Sequence, residues 1–194
     1  PDKILKVIED GIKKNEPFTE EIKKVYPNEP DEIAKPYAEQ KLSVSMPMFM
    51  MGFKDTDNGY KGKKLLKKYI EMNILLQMLF GKSSKLHNRL YEDGLITPSF
   101  SPDYTMQPDY AYSSIDGESK DPKKVYEEIL NEVDNAHKNG LNEDDFNRIK
   151  KVIWGRYIKT MNDVEDYAVT YMQMLFSGID YLDYYEVYKS ITFE

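Results

Sequence analysis

The sequence predicts an α+β domain in which a mostly antiparallel sheet carries helices packed on one face. Three observations predict it. Strand-like segments fall between residues 47 and 117, whereas everything beyond residue 121 reads as helix. The residues Gln107, Pro108 and Asp109 form a turn between two of the strands, and a hairpin connection makes antiparallel neighbours. Strands first and then helices is the order of an α+β domain with helices stacked on one face of the sheet.

Residues 2–15 place Ile4, Leu5, Ile8 and Ile12 on one helical stripe with charges around the rest, an amphipathic pattern that suits a connecting helix. Pro17, Pro27 and Pro30 then punctuate a highly charged stretch that cannot sustain a helix. From Ile33 to Lys41 the chain reads as an edge strand at best, because Pro36 has no N–H to give a ladder. The run PMFMMGF at 47–53 is short and apolar on both faces, as a central strand would be. A turn is expected from Asp55 to Gly59.

The helix expected over 61–80 starts with Lys61, Lys63, Lys64, Lys67 and Lys68, read as a solvated end. It finishes with Ile74, Leu75, Leu76, Met78, Leu79 and Phe80, which leave almost no polar face and must be surrounded by protein. A short helix follows. Ser83 is its expected cap, Leu86, Leu90 and Tyr91 its apolar positions, and Gly94 its stop, with Pro98 preventing continuation. Residues 99–106 alternate strictly: Phe100, Pro102, Tyr104 and Met106 on one side, Ser99, Ser101, Asp103 and Thr105 on the other. That is the pattern of a half-buried strand. YAYSSIDG at 110–117 is its antiparallel neighbour.

Asp121-Pro122 opens the next helix with a cap and a proline in the first turn, Val125, Ile129, Val133 and Ala136 form its stripe, and Gly140 closes it. Asn142 caps a further helix carrying Phe146, Ile149, Val152, Ile153 and Tyr157. Another, 163–177, bears Tyr167, Tyr171, Met174 and Leu175, and a last one, 180–190, is dense in tyrosine.

The 194 residues suffice for one sizeable domain that buries roughly 70% of its unfolded surface. Residues 1–32 are expected to be a connecting helix and linker, and 33–194 the domain. The start at Pro1 and the end at ITFE are read as those of an excerpt from a longer chain. A net charge of −7 and a pI near 5.1 oppose nucleic acid and anionic membrane as partners, both of which require clustered cations. With no cysteine, disulfides and thiolate metal sites are excluded. No apolar run approaches the ~20 residues of a spanning helix, and a cytoplasmic location is the expectation.

The residues offer little chemistry of their own. His87 and His137 are the only histidines, and neither has a ligand partner four residues on, as a helical zinc pair requires. A packing role is expected for His87 and a helix-end role for His137. Phosphate loops, nucleophile elbows and cysteine nucleophiles are missing. The carboxylate clusters at 92–93, 143–145 and 163–166 fall at helix ends, where capping explains them. No catalytic residue, metal ligand or cofactor is assigned to this chain.

The segment FGKSSKLHNRLYEDGLITPSFS at 80–101, with its Ser-Ser-x-Leu start and Gly-Leu end, resembles the second domain of zinc peptidases of the insulinase/pitrilysin family. The similarity extends over roughly 47–194 and is strongest to processing-peptidase-like proteins of Gram-positive bacteria. It implies the metal-free domain of a zinc metallopeptidase-like parent, forming the wall of a peptide-binding chamber opposite an upstream domain that holds zinc. The implied partners are a peptide or unfolded polypeptide substrate, that upstream catalytic domain, and a second parent in a homo- or heterodimer. In active relatives an arginine four residues before the glycine and a tyrosine three after it reach the substrate. Here those positions are Leu90 and Thr97, and Arg89 is about 100° away around the helix. The substrate-binding candidates are Arg89, Ser99, Ser101 and Asp103, the serines and the aspartate from the polar strand face. The missing pair keeps an alternative open, a catalytically silent scaffold or subunit that binds a partner protein; an unrelated α+β binding module is the third reading.

Overall fold

A computed structural model describes residues 2–14, 30–107 and 109–193. The linker prolines Pro17 and Pro27, and Pro108 of the hairpin turn, lie outside the described residues. The elements run α1 (Asp2–Lys13), β1 (Met48–Asp55), α2 (Gly62–Phe80), α3 (Lys85–Glu92), β2 (Ser101–Met106), β3 (Ala111–Glu118), α4 (Pro122–Asn139), α5 (Glu143–Asn162), α6 (Val164–Phe176), a 3-10 turn (Tyr181–Asp183) and α7 (Tyr184–Ser190). The three strands form one antiparallel sheet in the order β1-β3-β2. The expected α+β class is what forms.

Two expectations about strands are corrected. Residues 33–41 make no strand; they are exposed and irregular, as a proline-interrupted polar stretch with nothing to pack against should be. The apolar run at 47–53 lies not at the centre but at an edge, since β3 pairs with both neighbours. Its inward residues Phe49, Met51 and Phe53 pack on the core, and its outward Met48 and Met50 stand 68% and 77% exposed.

The core has two parts joined through α2. Beneath the sheet, Leu76 and Phe80 of α2 meet Leu86, Leu90, Phe100, Tyr104, Ile115, Val125 and Ile129. Beside it, Leu65, Leu66, Ile70 and Ile74 of the same helix meet Phe146, Ile149, Ile153 and Tyr157 of α5 together with Tyr181, Tyr184 and Val187. The tyrosines pack as rings: Tyr157 stacks on Tyr184 at 4.2 Å between centroids with an interplanar angle of 5°. Val152 on α5 and Leu175 on α6, both expected inside, are exposed, because they sit at the margins of their helical stripes.

Helix ends follow the local chemistry. Asp121, Asn142 and Asp163 each accept a backbone N–H of the first turn of α4, α5 and α6, satisfying donors that a helix start otherwise leaves orphaned. For α3 the cap is Ser84, accepting from the His87 N–H at 3.1 Å, rather than Ser83, whose hydroxyl accepts from Arg148 of α5. Gly94 ends α3 at φ +63°, a conformation costly for residues with a Cβ. Tyr91 lies half outside the core, facing the His87 ring. The basic start of α2 is less solvated than expected: Lys68 bridges Asp55 at 3.0 Å and Asp57 at 2.7 Å, and Lys63 reaches Glu186 at 2.7 Å and Asp183 at 3.3 Å.

Candidate functional site

The helices occupy one face of the sheet, and the alternation read from residues 99–106 is the one observed: Phe100 and Tyr104 are buried, while Ser99, Ser101 and Asp103 are exposed. Register places their neighbours. Met50, Asp116 and Ser101 form one row across β1, β3 and β2; Gly52, Ser114 and Asp103 form the next; Lys54, Tyr112 and Thr105 form a third; Met48 stands opposite Glu118. With strands about 4.8 Å apart, a shallow plate results, bearing three carboxylates, several hydroxyls and a thioether edge. Met48, Met50, Ser99, Asp116 and Glu118 line a concavity at one end of it. At the other end a second concavity is lined by Asp31, Lys54, Asn58, Tyr110 and Tyr112, with the two tyrosine rings stacked at 6.4 Å. The Lys54 ammonium donates to the carbonyls of Pro30 and Glu32.

Ser99 is held in place. Its Oγ accepts the backbone N–H of Glu118 at 3.2 Å and lies 2.6 Å from the Thr97 hydroxyl, which also donates to a Glu118 carboxylate oxygen at 3.3 Å. The loop between α3 and β2 is thus fastened to the end of β3. Position 90 faces the other way. Leu90 is 1% exposed, inside the core, so a side chain there does not look onto the plate. Arg89 is turned toward α4, with a guanidinium nitrogen 2.7 Å from the Glu128 carboxylate. The structure therefore gathers Ser99, Ser101 and Asp103 on one face and leaves Arg89 engaged elsewhere.

Sequence reasoning missed Met48, Met50, Asp116 and Glu118. Met48, Met50 and Asp116 lie on strands that it recognised and Glu118 directly follows one, but only pairing register brings them beside Ser99 and Ser101.

The plate presents oxygen acceptors and hydroxyls, and both histidines lie away from it. His87, 7% exposed, lies in the core against Tyr91 and edge-on to Phe100 at 5.7 Å, and neither ring nitrogen has a hydrogen-bond partner. Burial, with the Lys82 charge, pushes its pKa below the usual value of 6.5. His137 is exposed near the end of α4. Among the described residues no group of three His, Asp or Glu side chains is placed to hold a metal ion, and this donor set does not fit zinc.

Comparison with known proteins gives the class. The family model described as the peptidase M16 inactive domain matches residues 1–153, and the chain belongs to that family. It is 31% identical over 202 residues to the uncharacterized zinc protease YmfH of Bacillus subtilis, covering all of this chain and 45% of that protein. A solved protein from Alicyclobacillus acidocaldarius, named as an M16-like peptidase, superposes with a TM-score of 0.87 at 27% identity, covering 99% of this chain and 46% of its own. A domain from Bordetella parapertussis, solved as an inactive peptidase domain, shares the fold at a TM-score of 0.61 and 11% identity, covering 79% of this chain and 82% of its own. The chain thus spans a little under half the length of the long relatives it matches. The resemblance read at residues 80–101 is borne out, and this is the non-catalytic domain of a zinc metallopeptidase-like protein.

Proposed function

We propose that this domain forms the metal-free wall of a peptide-binding chamber whose opposite wall is a zinc-bearing domain of the same parent. The exposed polar face of the sheet carries the reading. A sheet packed on one side and left open on the other, in a domain of this family, offers a broad hydrogen-bonding surface to an extended chain. Ser101 and Asp103 are the central contacts in this account, with Ser99, Asp116, Glu118 and the thioethers of Met48 and Met50 around them. Methionine accommodates varied apolar side chains, which fits a surface meeting more than one sequence. Arg89 contributes only if it leaves Glu128. The peptide itself is expected to pair by main chain with a strand edge of the catalytic domain, so this wall adds contacts without supplying the reacting groups.

Zinc belongs to the parent in this reading, where three protein ligands and an open position would let it activate water. Among the described residues no helix is long and apolar enough to cross a membrane; a cytoplasmic setting is part of this reading.

The test is to mix this chain with the separately produced polypeptide encoded ahead of it and follow zinc-dependent cleavage of a quenched peptide library. Cleavage in the mixture alone supports the chamber wall. Binding without cleavage, with zinc loaded and both parts folded, supports the silent scaffold instead.

A further inference from the structure

α1 is amphipathic, yet none of its residues is buried. The apolar stripe Ile4, Leu5, Ile8 and Ile12 is 51–66% exposed. A lone helix of 12 residues is marginal in water, because nucleation is costly and most helical stability comes from packing an apolar face. The stripe therefore calls for a surface. The two-part core of the domain is closed without α1, and residues 30–45, leading toward β1, are exposed and form neither helix nor strand.

Lengths point to what covers it. The two long relatives accommodate essentially all of this chain in 45–46% of theirs, so each has another half that this chain lacks. Area points the same way. Four aliphatic side chains on three turns bury far less than the ~1,200–2,000 Å² of a stable interface between separate proteins. They suffice for a partner on the same polypeptide, where tethering gives an effective concentration on the order of millimolar.

We propose that α1 is a docking helix that seats its Ile4, Leu5, Ile8 and Ile12 stripe in an apolar groove of the zinc-bearing half, fixing that half relative to the sheet's open face. The proposal rests on the chamber reading for the existence of that half, and it goes further by naming the surface that joins the two.

Hydrogen exchange tests it on the intact parent polypeptide and on the 194-residue chain. In the shorter chain the amides of Ile4–Lys13 should exchange nearly as fast as unstructured ones. In the intact parent they should slow at least tenfold, and the double substitution Leu5→Asp and Ile8→Asp should abolish that protection while leaving exchange in β3 and α2 unchanged. Equal protection in both chains would show that α1 packs on its own domain. Protection that rises with protein concentration would show a second copy as occupant, and no protection in either would leave the stripe uncovered; each overturns the proposal. Cleavage distinguishes the underlying reading: an inactive, zinc-free parent with a protected α1 sinks the chamber and spares the docking helix. An active parent with an unprotected α1 does the reverse.

Discussion

The hydroxyl of Tyr104 donates to a carboxylate oxygen of Asp55 at 2.8 Å, tying β2 to the far end of β1 across the central strand. Asp55 also takes Lys68 of α2 at 3.0 Å, so one carboxylate joins both outer strands to the main helix. Burial first, then the hydrogen bond to Asp55, pushes the Tyr104 pKa well up, and the phenol remains a donor at any ordinary pH. Tyr104→Phe should cost about 1 kcal/mol, the net worth of a typical hydrogen bond. Asp55 keeps Lys68 and is not left unpaired. In thermal melts this is a drop of roughly 2–4 °C for a domain of this size.

Gly117 admits the approach of Phe100. A Cβ there would stand 3.0 Å from the Phe100 Cα, and since the obstacle is the backbone of a buried residue, it cannot swing aside. Gly117→Ala should destabilise by about 1–3 kcal/mol, the usual cost of overpacking. Urea unfolding should show a lower midpoint with an unchanged slope.

His87 makes stability depend on pH. Its pKa is lowered in the folded state, so the unfolded chain binds the proton more readily. The sign follows from linkage: stability is fully present above the unfolded value of about 6.5 and is lost as pH falls from there through the folded pKa. The ring packs among Tyr91, Phe100 and the Ser84 cap, and Lys82 is the charge that opposes protonation. His87→Phe should remove this part of the pH dependence. Urea melts of both proteins at pH 7.5 and 5.0 check it: the wild type should lose more stability between the two than the variant does.

How much of this was legible in the sequence depends on how local the signal is. Asp121, Asn142 and Gly94 could be read directly, because a cap or a left-handed stop is decided within a few residues. The alternation of Ser99 to Met106 likewise fixed which side of β2 faces the helices. Strand order was not legible. Met48 to Phe53 look like a central strand because both faces are apolar, yet pairing with β3 alone leaves them at the edge, a non-local outcome. Asp116 and Glu118 escaped notice for the same reason, since only register sets them beside Ser101 and Ser99. The exchange of Ser83 for Ser84 as cap is a one-residue choice made by Arg148, which takes the Ser83 hydroxyl from 65 positions away.

The plate's carboxylates should matter to peptide and not to folding. Asp103→Asn with Asp116→Asn should leave the melting temperature within about 2 °C, since both side chains lie on the open face outside the core and such substitutions usually cost little. In the reconstituted mixture it should change kcat/KM at least threefold for some library members, read by comparing cleavage profiles side by side.

The chamber account is tested most directly by photo-cross-linking in that mixture, with a benzoylphenylalanine introduced at Ser101 on the open face or at Tyr126 on the exposed side of α4. The account predicts that peptide is captured from position 101 and not from position 126. Capture from 126, or cleavage that proceeds with no capture from 101, would contradict it.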